Sequence, residues 1–573
     1  MKKHSLPFLL VAVLMLAGAL LAGCQGNTNT PAPATSAPAA AETSAAAETP
    51  AATESAATEP SAAPALEPYT FTHYFNYDWW TIHEWGKDEV SKYYQKKYNI
   101  TVDFSKPDSD PAAKLNIMIS ADELPDSIMM DRGVDNQNLA KLGKLLPLEP
   151  FMEKNKNLED NLLPTTIDQL KLVGEDGQRH LYSIPNWPRK GPTGGNDAWL
   201  YDTRIWEAAG KPELKTLDDL YNYAKKAKEL GKNKEGLDII PMMIGRSPDG
   251  YNLGRGFYRS FGGVLSGWYS PQGDRYQLAL RDPVFKQATM EVNKWWREGL
   301  ISASQFTDSE DQIKEKLVSG RIALMFYDHS QDSVNHFRQI VRESFPGGSI
   351  ELTDPLYPPA AGVSKVYADH KETIGWNVTN ITTKAKQPER IFTLWTDFLT
   401  KEGSVIMMYG PKGFNWDELN ADGLPLLKKA ESEQTPEEKD ALGAWFWAMP
   451  GQSDNVDTIK FAVNDMLPAE KQDWVIWQQA HKFTPIMWVS DEFVGIADVI
   501  DPLGDEGINR KLVEDNLIAE YPKVIMAATA EEAATIYDKI VKFADDNGLK
   551  AVEDKYTEKY KANVAAYGTG IAK

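Results

Sequence analysis

From Tyr69 to the carboxyl terminus the chain runs for about 500 residues of aromatic-rich sequence, whereas a single hydrophobic core stops growing at roughly 250–300 residues. At least two cores are therefore required. The chain has one cysteine, Cys24, so no intrachain disulfide can hold them together and packing must do so alone. With 61 basic against 82 acidic residues, the net charge of −21 argues against nucleic acid or an extended anionic membrane face as partner. It says little about a neutral ligand.

Periodicity past Tyr69 reads as α/β. Strand-like runs at Thr70–Phe75, Ile100–Phe104 and Ser127–Met130 alternate with helical runs at Glu84–Tyr98 and Ala112–Ala121. This β-α-β-α-β order predicts a parallel sheet with right-handed crossovers, whose ligands sit beyond the carboxyl ends of the strands. Further on, Thr216 with Asp219 marks a helix start running to Leu230, followed by Gly231. Strands are predicted at 239–244, 321–327 and 373–378. Helices are predicted at 282–298, 312–318, 388–400, 512–528, 530–546 and 550–566. No internal repeat is present.

The amino terminus has a different character. Lys2 and Lys3 precede the apolar run Leu6–Leu21, which is too short for the ~20 apolar residues of a membrane span and reads as a signal peptide. It ends in Leu21-Ala22-Gly23-Cys24, which resembles the bacterial lipobox. That resemblance implies cleavage before Cys24 and acylation (palmitate) of its thiol, fixing the chain to the outer face of the cell membrane. Residues 25–67 hold no aromatic residue, Lys or Arg and cannot repay the entropy of ordering. They read as a stalk spanning roughly 35–40 Å as a flexible coil.

Several phrases resemble the extracellular solute-binding proteins of family 1, best known from maltose-binding protein, and more closely the larger lipoprotein subgroup of Firmicutes. They are Ile119-Ser120-Ala121-Asp122-Glu123-Leu124-Pro125-Asp126, with Ala121 where the family usually has Gly; Tyr182-Ser183-Ile184-Pro185 followed by Trp199-Leu200-Tyr201-Asp202; Leu217–Lys226; Val318–Met325; Pro388–Leu399; and Tyr409-Gly410-Pro411-Lys412-Gly413. Their order, behind a lipobox and a stalk, carries more than any one of them. The resemblance implies an α/β, two-lobe periplasmic-binding-protein-like fold (type II), hinged around a cleft. It also implies capture of a solute, an oligosaccharide, for the permease of an ABC importer. Lobe one is expected at 68–188 plus 376–430, and lobe two at 189–375 plus 431–573. A monomer is expected.

A sugar site needs aromatic platforms for C–H faces and planar polar groups for hydroxyls. Residue types and expected loop positions make candidates of Trp79 and Trp80 after the first strand, Asp131 and Arg132 after the third, and Trp187 at the first crossing. Tyr258 follows in lobe two, Tyr327 and Asp328 end a strand, Trp376 lies on the return crossing, and Trp416 follows the Gly413 turn. For each, packing is the competing assignment: Trp79 or Trp80 stapling a helix, Asp131–Arg132 as a surface ion pair, Trp187 filling the hinge. Trp445, Trp447, Trp474, Trp477 and Trp488 read as core. HExxH, GxSxG, P-loop and CxxC patterns are missing, so no catalytic residue, metal or cofactor is assigned. Asp545-Asp546-Asn547-Gly548 reads as a helix end rather than a calcium loop. The rival readings are a surface glycoside hydrolase, which needs two carboxylates ~5 Å or ~6.5–9.5 Å apart, and a sensor or adhesin lipoprotein.

Overall fold

The computed structural model describes residues 66–571 apart from 246, 328–330, 444, 446, 447 and 503. Cys24, the signal run and nearly all of the stalk lie outside the described residues. The strands of the two main sheets are, in chain order, β1 (Tyr69–Phe75), β2 (Ile100–Ser105), β3 (Ser127–Asp131), β4 (Ser183–Pro185), β5 (Ala198–Asp202), β6 (Ile240–Ile244), β7 (Ile322–Tyr327), β8 (Ile350–Leu352) and β9 (Asn377–Ile381). The principal helices are α1 (Glu89–Tyr98), α2 (Pro111–Ala121), α3 (Val134–Lys141), α4 (Leu217–Leu230), α5 (Tyr251–Ser260), α6 (Pro283–Arg297), α7 (Pro388–Asp397), α8 (Asp505–Met526), α9 (Ala530–Asp546) and α10 (Leu549–Tyr567).

The first sheet has the order β2-β1-β3-β9-β4. β1, β2 and β3 are parallel, as their alternation with α1 and α2 requires. β9, which enters from residue 377, is antiparallel to both β3 and β4. The second sheet runs β8-β5-β7-β6, with β6 and β7 parallel and β5 antiparallel to β7.

Local chemistry explains where the elements begin. α1 starts at Glu89 and not at Glu84, because the Asp88 side chain accepts from Ser91 N at 2.8 Å and Gly86 before it has φ +85°. α4 opens on a full capping box between Thr216 and Asp219. Asp126, the end of the Leu-Pro-Asp phrase, accepts from both Thr72 N and Thr72 Oγ1 at 2.8 Å, tying β1 to the entry of β3. The strand predicted over 373–378 begins instead at Asn377. Gly375 has φ +82°, and Asp491 holds Thr373 through its backbone N–H and hydroxyl, so the run before 377 is not extended. Asn547 and Gly548 do form a helix end, since Gly548 at φ +74° links α9 to α10.

Two large cores result, as the length demanded. One gathers Phe71, Tyr94, Ile128, Val378 and Trp395 around the first sheet. The other gathers Trp199, Phe257, Trp295 and Phe326 around the second, and takes in Leu517, Tyr521, Ile540 and Tyr556 of the carboxyl-terminal helices. Trp445, Ala448, Met449 and Val456 are wholly buried in the first core. These residues therefore pack with lobe one, contrary to the boundary expected at 430. Between the cores, chain segments lie side by side: Trp187 N donates to Gly451 O (2.7 Å), Arg189 N to Thr373 O (3.0 Å) and Trp376 N to Asn186 O (3.0 Å). No helix among the described residues is long and apolar enough to cross a membrane.

Candidate functional site

The carboxyl ends of β1 and β3 and the start of β9 share one edge of the first sheet. Parallel pairing puts the residues after Phe75 beside those after Met129, and the β3–β9 register sets Asp131 opposite Asn377. Four sequence candidates meet here. Trp79 is 53 % exposed and Trp376 is 40 % exposed, unusual for indoles, and they lie near-parallel with centroids 6.2 Å apart and planes at 23°. Tyr77 braces both, 5.6 Å from Trp79 and 5.4 Å from Trp376. Its hydroxyl donates to Asp131 Oδ1 at 2.6 Å and accepts from Asn377 Nδ2 at 3.0 Å. Burial, then the Asp131 carboxylate, push the Tyr77 phenol far above its ordinary range, so it stays a donor.

Arg132 sits at the inner rim. Its guanidinium donates to Gly375 O (3.0 Å), pairs with Glu372 (3.0 Å) and reaches Trp376 O (3.4 Å), which fixes the loop carrying Trp376. Burial pushes the Glu372 carboxyl up, against the pull of Arg132. The result is a wall of two exposed indoles braced from behind by buried Tyr77, with a carboxylate and a guanidinium at its margin.

Arg132 also lines a cavity of about 240 Å³. Asn136 of α3, Lys171 and Arg179 of a short hairpin, and Asp498 and Lys559 from the carboxyl-terminal region line it as well. Tyr77, Lys171 and Lys559 were not singled out in the sequence. Tyr77 stands two residues before Trp79, but nothing in the sequence distinguished it. The lysines lie hundreds of residues apart, and only the fold brings them together.

The remaining candidates sit elsewhere. Trp80, 5 % exposed, faces inward against Phe75, Phe104 and Trp445. Trp187, at φ +60°, is buried in the first core against Gly451, so it packs the crossing. Tyr258 is core and its hydroxyl is hydrogen-bonded to Asp282 Oδ2. Tyr327 packs with Phe337 in a smaller core beside the second sheet. Trp416 is buried with Val405, Ile459 and Val463, its Nε1 donating to Gly410 O at 2.9 Å. All five are buried, each covering an apolar surface of its own core. Asp328 lies outside the described residues. Arg259, next to Tyr258, is also structural. It pairs with Asp197 at 2.6 Å and reaches Asp369 at 3.5 Å, with Tyr357 donating to the same Asp197 oxygen.

Two sheets, each with its own core and joined by adjacent crossing segments, with an aromatic wall at the strand ends, define a two-lobe solute-binding fold of type II. Residues 79–405, more than half of the chain, match the family model for bacterial extracellular solute-binding protein, and the chain belongs to that family. It is 30 % identical over 157 residues to the fructooligosaccharide ABC transporter substrate-binding protein FusA of Streptococcus pneumoniae, a match spanning 26 % of this chain and 29 % of that protein. Its fold is similar to that of FusA in complex with kestose, with a TM-score of 0.63 at 16 % identity over 87 % of this chain and 100 % of the other. It is also similar to a human-milk-oligosaccharide (HMO)-binding, ABC-transporter-associated solute-binding protein of Bifidobacterium longum infantis (0.61, 16 %, 86 % and 99 %). The alginate-binding protein AlgQ2 gives 0.59 at 16 % identity over 86 % and 98 %. At such identities the likeness concerns the fold.

Proposed function

We propose that this chain is the substrate-binding lipoprotein of an ABC importer, and that it captures an oligosaccharide on the wall formed by Trp79, Trp376 and Tyr77 and passes it unchanged to a membrane permease. The observation that carries the reading is the pair of exposed, near-parallel indoles at the strand ends. Their hydration is costly, and a pyranose face covers them while Asp131 and Arg132 meet its hydroxyls. Family membership and the fold support capture of a solute. The carboxylates at hand favour binding over hydrolysis, since Asp131 is engaged by Tyr77 and Glu372 by Arg132.

Ligand held against lobe one is closed upon by lobe two, and the complex is stabilised by mass action. A chain anchored through Cys24 on a stalk would hold this monomeric body at the outer face of the cell membrane, within reach of its permease. The test is a thermal-shift screen of the full chain against neutral and acidic oligosaccharides. A rise in melting temperature of several degrees with at least one class is expected. A flat response across all of them overturns the reading. Metabolic labelling with a palmitate analogue, lost in Cys24→Ala, tests the anchor.

A further inference from the structure

The cavity behind Arg132 has a chemistry that the aromatic wall does not explain. Its two sides belong to different cores. Asn136 and Lys171 come from lobe one, whereas Lys559 comes from α10, whose Val552, Tyr556 and Tyr560 pack into the second core. Four of its lining residues are cationic (Arg132, Lys171, Arg179 and Lys559) against one acid, Asp498, in a chain of net charge −21. Two of the four are already engaged, Arg132 by Glu372 and Arg179 by Asp168. Lys171 and Lys559 are half-buried and make no ion pair among the described residues. With Asp498 as the single acid on the lining, two partly desolvated ammonium groups leave the cavity net positive, which favours entry of an anion. A further observation narrows what enters. Asn136 is 3 % exposed, its Nδ2 donates to Ser183 Oγ at 3.3 Å, and its Oδ1 has no hydrogen-bond partner among the described residues. A buried acceptor lacking a donor wants a hydroxyl.

We infer that this cavity is a subsite for a negatively charged group on the ligand, so that the cargo is an acidic oligosaccharide whose carboxylate is gripped between Lys171 of one lobe and Lys559 of the other. This rests on the oligosaccharide reading above and narrows it. Continuity with the wall is structural: Arg132 belongs to both, and Ile374 and Val378, which line the cavity, flank Trp376 in the chain. An anion held by cations from both lobes binds the closed form better than the open one, which is what lets a ligand shift that equilibrium. A neutral sugar would take hydrogen bonds from the lysines but would not neutralise their charge.

The test uses the full chain and calorimetric titration with uronate-containing oligosaccharides, each beside its carboxyl-reduced counterpart, which keeps the rings and removes the charge. Inorganic phosphate at matched ionic strength is a further arm. The expected result is a uronate oligomer that binds at least about tenfold more tightly than its reduced form. That advantage, read within each variant as the ratio of the two affinities, should fall about tenfold in Lys171→Met and in Lys559→Met. Equal binding of both forms, or an advantage that survives both substitutions, overturns the subsite and leaves the oligosaccharide reading standing. Lysine-dependent binding of phosphate without any preference for uronates overturns it in favour of a free-anion site. Failure of every saccharide, charged or reduced, sinks the oligosaccharide reading along with it.

Discussion

Trp79 and Trp80 are neighbours in sequence with opposite roles, and replacing each by alanine separates them. A Trp side chain offers roughly 150–250 Å² of surface. Trp79 leaves about half of its surface in water. A sugar face that covers it removes ~80–130 Å², worth ~2–3 kcal/mol at about 25 cal/mol per Å², or roughly 30–150-fold in affinity. Trp79→Ala should therefore weaken binding by that factor, with a small change in melting temperature. Trp80, 5 % exposed among Phe75, Phe104 and Trp445, contributes nothing a ligand can cover. Trp80→Ala should cost ~3–5 kcal/mol of stability through the cavity it leaves, with affinity near that of the parent chain wherever the protein remains folded. Calorimetric titration paired with differential scanning calorimetry reads both quantities. An unchanged affinity in Trp79→Ala, with melting equal to that of the parent chain, would refute the argument that this exposed indole is a ligand platform.

Three further outcomes follow from the structure. Gly375→Ala places a Cβ 2.4 Å from Asn186 O at φ +82°, so it should lower the melting temperature and loosen the loop of Trp376, seen as a blue-to-red shift in tryptophan emission. Arg259→Leu strips Asp197 of its closest cation inside a buried network and should destabilise the second lobe by ~3–5 kcal/mol in chemical denaturation. Acid should destabilise the chain in a defined window. Desolvation pushes wholly buried His73 down to about 3, and burial, opposed by Asp369, pushes His370 down to about 4. Unfolded imidazoles titrate near 6.5, so between pH ~6.5 and those values the unfolded state binds more protons. Stability then falls as pH drops, by up to ~1.4 kcal/mol per pH unit for each histidine. His73→Asn should flatten that slope in urea titrations between pH 4 and 6.5.

Much of the fold could be read from the sequence where signals are local. The β1-α1-β2-α2-β3 order, the Thr216–Asp219 cap and the three carboxyl-terminal helices rest on periodicity and on side chains within a few residues of each other. The antiparallel entry of β9 between β3 and β4 could not be read that way, because it depends on a partner some 250 residues distant in a sheet already built, as the Asp131–Asn377 register shows. The site divided along the same line. Trp79, Asp131 and Arg132 could be picked out because strand carboxyl ends are where an open α/β sheet presents side chains, and Trp376 because it lies on the return crossing. Trp80, Trp187 and Trp416 carry the same residue type at similar positions, and only packing tells an indole that covers a core from one left to water. Lys171 and Lys559 gave no signal at all, since a half-buried lysine matters here only through what stands opposite.

The wall at the carboxyl ends of β1 and β3 and the start of β9 is proposed to hold an oligosaccharide without altering it. Native mass spectrometry of the full chain, mixed with the oligosaccharide giving the largest thermal shift and followed for several hours, tests this directly. A one-to-one complex carrying the saccharide at its starting mass, and missing in Trp79→Ala, is the expected result. Bare protein throughout, or a complex that gives way to shorter saccharides, would contradict it.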